Sequence, residues 1–232
     1  MFNGKMKAVT FSYDDSVTQD IKLIEMFNKY GLKGTFNINS ELLGRESHST
    51  HDNGAKIVNR STINPDELAE IYKGHEVAVH TLTHPNLTEQ TEEEIIRQVD
   101  EDRKNLSKLC GYDVIGMAYP CGGVNNDDRV AEIIRKNTPI KYSRTITSTN
   151  SFDLQDNLLR FNPTVYHLHT EDMFRLADEF IALKPDSPKL FYIWGHSYEF
   201  DIYDYWEKFE ELCQKISGHD DIFYGTNKEV LL

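Results

Sequence analysis

The chain has 232 residues, of which 39% are hydrophobic and 27% charged, the balance of an ordinary globular chain with enough length for one large α/β domain or two small ones. A formal net charge of −13 and a pI near 5.1 argue against nucleic acid or an anionic membrane as a partner, because both require a positive field. Three widely spaced cysteines, Cys110, Cys121 and Cys213, give neither a disulfide framework nor a thiolate zinc site; with no signal core and no run of about 18 apolar residues, the expectation is a cytoplasmic chain, and no linker divides residues 1–232, so that a single domain is expected.

Strand and helix patterns alternate along most of the length. Lys7 to Ser12 reads as a strand. Ile21, Leu23, Ile24, Phe27 and Tyr30 recur at helical spacing, with Gly31 as the stop. Gly34 to Ile38 is the next strand. Ser40 to Thr62 is long, polar and weakly patterned, and is expected to be a loop over the site or disordered. Asn64-Pro65 starts a helix through Leu68, Ile71 and Tyr72; Glu76 to Val79 is a third strand. Thr91-Glu92-Glu93-Glu94 opens a long amphipathic helix to about Cys110. Strands follow at Val114–Tyr119, Ile140–Ile146, Leu159–Phe161, Lys189–Trp194 and Ile222–Tyr224. Helices are expected after Asp128, over Glu171–Leu183 and over Tyr205–Ile216, with a begun helix at Thr226–Leu232.

Repeated β and α units imply a parallel sheet with helices outside it. Seven or eight of them favour a closed or nearly closed (β/α) barrel. The chemically distinctive side chains follow predicted strands: Asp14 and Asp15, His80 and His84, Tyr119 to Cys121, Arg144, and His196. A barrel gathers those strand ends at one mouth.

Two histidines and one aspartate are a usual ligand set for an open divalent-metal site. His80 and His84 lie in His80-Thr81-Leu82-Thr83-His84, with no glutamate between them to act as base. In Tyr13-Asp14-Asp15-Ser16, neighbouring carboxylates on an extended segment point in opposite directions. One can bind a metal while the other faces a water. His196, after an apolar strand, suits a general acid. Trp194 and Tyr198 suit either core packing or an aromatic wall of a cleft, and Glu199 and Asp201 read as polar groups near the mouth, facing a substrate or solvent. His48, His51, His75, His167, His169 and His219 read as surface histidines.

These motifs, in this order, resemble the polysaccharide deacetylase family, carbohydrate esterase family four. Tyr13-Asp14-Asp15-Ser16 is similar to its Phe-Asp-Asp-Gly motif, and His80-Thr81-Leu82-Thr83-His84 matches its His-Ser/Thr-x-x-His/Asn motif. Tyr119-Pro120-Cys121-Gly122 resembles its Arg-x-Pro-Tyr-Gly motif in part, and Trp194-Gly195-His196 its late Leu-x-His motif. The resemblance implies a distorted (β/α) barrel and a divalent ion, commonly zinc, cobalt, nickel or manganese, on Asp15, His80 and His84. It implies that Asp14 is the base, that the Cys121 N–H helps hold the oxyanion, and that His196 is the acid. Tyr119 falls in the substrate wall. The implied reaction is removal of acetyl groups from N- or O-acetylated saccharides. The same machinery acting on another small amide or ureide, or a decayed scaffold that only binds sugar, are the alternatives.

The chain departs from the pattern at two positions. Ala118 stands where the family has an arginine that orients the catalytic aspartate, and Cys121 stands where it has a tyrosine. Arg144, at the next strand end, is expected to supply the missing charge to Asp14, with Arg160 as the second candidate.

Overall fold

The computed structural model describes residues 2–232. The strand that carries the two aspartates, β1 (Lys7–Asp14), is buried along its whole length and organises the sheet. Its alternate residues face two different cores, as a strand's period of two requires. Val9, Phe11 and Tyr13 face outward into the main apolar core. There Phe11 and Tyr13 pack on Phe27 of α1 (Asp20–Tyr30) and on Phe209. Ala8 faces inward with Leu190, Tyr192 and Phe161 in a smaller cluster.

Parallel pairing extends from β1 in both directions. On one side lie β2 (Gly34–Ile38), β5 (Glu76–Val79), β6 (Gly116–Ala118) and β7 (Tyr142–Arg144); on the other lie β9 (Lys189–Gly195) and β8 (Val165–Tyr166). β10 (Ile222–Tyr224) pairs with the first residues of β1, in line with β2. Two further strands, β3 (His48–His51) and β4 (Lys56–Asn59), form a separate antiparallel pair. The helices are α2 (Leu68–Ile71), α3 (Glu92–Cys110), α4 (Asp128–Asn137), α5 (Thr170–Ala182), α6 (Tyr198–Ile202), α7 (Trp206–Ile216) and α8 (Asn227–Leu231). None of the described helices is long and apolar enough to cross a membrane.

The two ends of the sheet are joined by the run from Phe161 to Tyr166. Phe161 bridges Arg144 of β7, and Thr164 N–H donates to the Tyr192 carbonyl of β9 at 2.9 Å. The result is a distorted (β/α) barrel, as expected. Its far end is plugged by α8: Asn227 N–H donates to Thr35 Oγ1 at 2.8 Å and Lys228 N–H to Glu76 Oε2 at 2.8 Å. A Thr226–Glu229 capping box starts that short helix.

Three expectations are corrected. Leu158–Arg160 is a tight 3-10 turn, and the strand pairing with β9 comes later, at Val165–Tyr166. A two-residue strand is too short to show alternation. The segment 40–62 is not a bare loop, since the β3–β4 hairpin lies inside it. The helix α6 directly after His196 and Ser197 was not anticipated.

Candidate active site

Asp14 ends β1 beside Asn37 of β2, and the Asn37 side-chain amide donates to Asp14 Oδ1 at 2.7 Å. Arg144 at the end of β7 reaches across the barrel interior. Its Nη2 donates to Asp14 Oδ1 at 2.6 Å, and its Nε to Ser12 Oγ at 3.2 Å. The guanidinium also lies over the Trp194 ring, 4.5 Å from its centroid. Burial alone would raise the Asp14 carboxyl, but the charge of Arg144, helped by His80 and His196, outweighs it and holds the group below its ordinary value. Arg160 turns away from Asp14, to Asn126 and Asp128.

Asp15 is turned away from Asp14 by a left-handed backbone, φ 78°. Its Oδ1 lies 3.5 Å from His84 Nε2 and 3.7 Å from His80 Nε2. Thr81 (φ 71°) and His84 (φ 63°) are left-handed as well. Non-glycine residues adopt this region at a cost of about 1–3 kcal/mol each, and such residues cluster at functional sites. The surroundings hold the turn in place. Gln98 of α3 takes the Leu82 N–H on its carbonyl and the Thr83 N–H on its side chain, while the Asn39 amide donates to the Thr81 carbonyl at 2.8 Å.

The three side chains fit a cation. One ligand atom from each of Asp15, His80 and His84 lies within 4.8 Å of the others. His80 Nδ1 is 2.9 Å from the Ala118 carbonyl, which can only accept, so Nδ1 carries the proton and Nε2 presents its lone pair. Burial pushes His80 down to about 4, with the charge of Asp14 opposing the fall and that of His84 adding to it. It is therefore neutral at pH 7, as a ligand must be.

His196 follows Gly195, which pairs with Tyr13, and its Nε2 lies 4.0 Å from Asp14 Oδ2. Its Nδ1–H donates to Glu199 Oε2 at 3.1 Å, and the same oxygen accepts the His196 backbone N–H at 3.1 Å. Glu199 also accepts from His167 Nε2 at 2.7 Å and from the Tyr166 hydroxyl. His167 Nδ1 in turn faces the Tyr13 hydroxyl at 3.2 Å. Burial would lower His196, but the bond to Glu199 and the charges of Asp15, Glu199 and Asp14 raise it to about 9. Gly195 leaves the room for this arrangement, because a Cβ there would sit 2.5 Å from the His167 ring.

Glu199 and His167 are thus buried and paired, where the sequence reading set Glu199 toward a substrate or solvent and His167 on the surface. His75 is buried too, accepting the Gly34 N–H on Nδ1 at 3.1 Å. The signal for Glu199 is its position three residues after His196 on one helical turn. His167 carried no local signal.

Asp14, Asp15, His80, His84 and His196 share a cavity of about 320 Å³ that also includes Tyr119, Cys121, Trp194, Tyr198 and Arg60 in its wall. Tyr119 is almost wholly buried, its hydroxyl donating to the Leu159 carbonyl at 2.7 Å. Cys121 is left-handed (φ 69°), its thiol beside the His84 carbonyl at 3.4 Å. Arg60, after the hairpin, is a further wall residue not anticipated from sequence. Its Nη2 is 3.2 Å from Asp15 Oδ2, and its guanidinium stacks 3.6 Å from the Tyr198 ring centroid.

A model of the family described as polysaccharide deacetylase matches residues 3–138, more than half of the chain. A bifunctional xylanase/deacetylase of Pseudobutyrivibrio xylanivorans is 31% identical over 124 residues, 53% of this chain and 18% of that protein. The peptidoglycan-N-acetylglucosamine deacetylase PgdA of Listeria monocytogenes is 25% identical over 130 residues, 55% of this chain and 24% of that protein. The chain therefore spans a quarter or less of either relative's length. Among solved structures, a T48 deacetylase determined with substrate superposes with a TM-score of 0.59 at 16% identity, over 100% of this chain and 93% of that one. With that family model covering more than half of its length, and with its fold shared by the T48 deacetylase, the chain belongs to the polysaccharide deacetylase family.

Proposed function

We propose that this chain is a metal-dependent hydrolase that removes acetyl groups from N- or O-acetylated saccharides. The observation that carries this reading is the Asp15–His80–His84 cluster beside a second carboxylate, Asp14, that an arginine keeps ionised. A divalent cation held by those three residues, zinc first and cobalt, nickel or manganese otherwise, supplies a Lewis acid for a water and an acyl carbonyl.

Asp14 takes the proton of the attacking water. It is ionised and fixed by Arg144 and Asn37, so its free lone pair points at one place. His196 donates a proton to the departing amine or alcohol from Nε2, because Glu199 holds Nδ1. With its protonated form favoured, it is a competent acid at neutral pH. Cys121 lines the same cavity, and its backbone N–H would serve as a donor to the oxyanion. Trp194 and Tyr198 line the same cavity and would form the aromatic wall beside the acetyl methyl and the sugar ring.

The test is acetate release from N-acetylated oligosaccharides by protein loaded with each divalent ion in turn. Turnover that a chelator abolishes and added ion restores supports the reading. Ring opening of cyclic amides without acetate release would replace it.

A further inference from the structure

A second cavity of about 370 Å³ adjoins the first and shares Asp15, Arg60 and His84 with it. Its outer wall is the segment carrying the β3–β4 hairpin, which contributes Arg45, His48 and Arg60. The chain as a whole carries a charge of −13, yet among the described residues the only carboxylate lining this cavity is Asp15, whose Oδ1 faces His80 and His84. Arg60 stands at the junction of the two cavities, fixed by Asp15 Oδ2 and the Tyr198 ring. Arg45 donates one Nη2 bond to the Glu41 carbonyl at 2.8 Å and has no carboxylate at ion-pair distance among the described residues. Its remaining donors are available to a ligand. Val17 and Leu42 supply the apolar part of the wall.

A neutral sugar hydroxyl accepts a single hydrogen bond, as an uncharged partner, from a guanidinium, whereas a carboxylate or phosphate matches the fork with two parallel charge-assisted bonds. We propose that this second cavity is a subsite for an oxyanion, a carboxylate or a phosphate, carried by the saccharide on the ring next to the acetylated one. Arg45 and Arg60 read that charge, and the hairpin is the element that makes this enzyme select acidic acetylated saccharides. The inference rests on the deacetylase reading above and deepens it.

The experiment compares an N-acetylglucosamine disaccharide with two twins, one bearing a uronic carboxylate and one a phosphate on the neighbouring ring. Acetate release and calorimetric binding are both measured, for wild type, Arg45→Gln and Arg45→Lys. Arg45 is exposed, so neither substitution threatens folding. The expected wild-type preference for an acidic twin is about tenfold in kcat/KM and in Kd, the scale of one charge-assisted pair. It should fall toward one in Arg45→Gln, persist in part in Arg45→Lys, and weaken with added salt. The better of the two twins identifies the oxyanion. Equal handling of neutral and acidic substrates by wild type, or a preference that Arg45→Gln leaves intact, overturns the subsite. Absence of acetate release from all three substrates refutes the deacetylase reading instead, and the Kd comparison still decides whether the cavity binds the acidic group.

Discussion

Arg144 and Asp14, 130 residues apart in the chain, meet inside the barrel with Nη2 2.6 Å from Oδ1. Both are almost wholly buried, and Ala118 of β6 lies in register with Arg144. In the function proposed above, this contact takes the place of the arginine that the family motif has before its proline.

Replacing that arginine should therefore change a titration as well as a rate. Without it, burial dominates and the Asp14 pKa rises. Asp14 must be ionised to act as base, so the acidic limb of the kcat/KM profile should move to higher pH in Arg144→Gln, with kcat down by about 10²-fold or more. The cost in stability is about 3–5 kcal/mol, because a buried carboxylate loses its partner. Since the native carboxyl is depressed, this contribution is present above the unfolded pKa and fades as pH falls through the folded one. Thermal melts across acidic pH check that sign. An acidic limb that stays in place in Arg144→Gln would show that the contact does not tune Asp14.

Glu199 should govern the opposite limb. His196 must be protonated to act as acid, and its raised value of about 9 comes in large part from Glu199. In Glu199→Gln the alkaline limb of kcat should move down by about 1–3 pH units, while the acidic limb set by Asp14 stays. Proton NMR titration of the His196 ring gives the same shift without turnover.

Gly195 should tolerate nothing larger. A methyl there lands 2.5 Å from the fully buried His167 ring, which cannot retreat without leaving Glu199 and Tyr13. Gly195→Ala should lose about 1–3 kcal/mol of stability and reduce kcat, since the carboxylate that orients His196 moves with His167. A melting temperature within a degree of wild type would mean the ring relocates freely.

Much of this site was legible because its parts are local. Asp14, Asp15, His80, His84 and His196 each follow a short apolar strand, and a parallel barrel collects such positions at one end. Arg144 was legible through an absence, Ala118, together with its own place after a strand. His167 was not, because its strand has two residues and its contact with Glu199 exists only through the β8–β9 register. Arg60 was hidden for a related reason. The β3–β4 pair is mostly exposed and polar, so no alternation marks it, yet it sets a guanidinium against Asp15. The left-handed turns at Asp15, Thr81, His84 and Cys121 use residues other than glycine, which removes the usual sequence sign of a positive φ.

The division of labour between the two adjacent aspartates is the central claim, and metal content measured beside acetate release in Asp14→Asn and Asp15→Asn tests it most directly. The account predicts that Asp14→Asn keeps a wild-type complement of divalent ion and loses acetate release by about 10²–10⁴-fold, while Asp15→Asn loses the ion. Loss of the ion from Asp14→Asn with retention in Asp15→Asn, or turnover undiminished in Asp14→Asn, would contradict it.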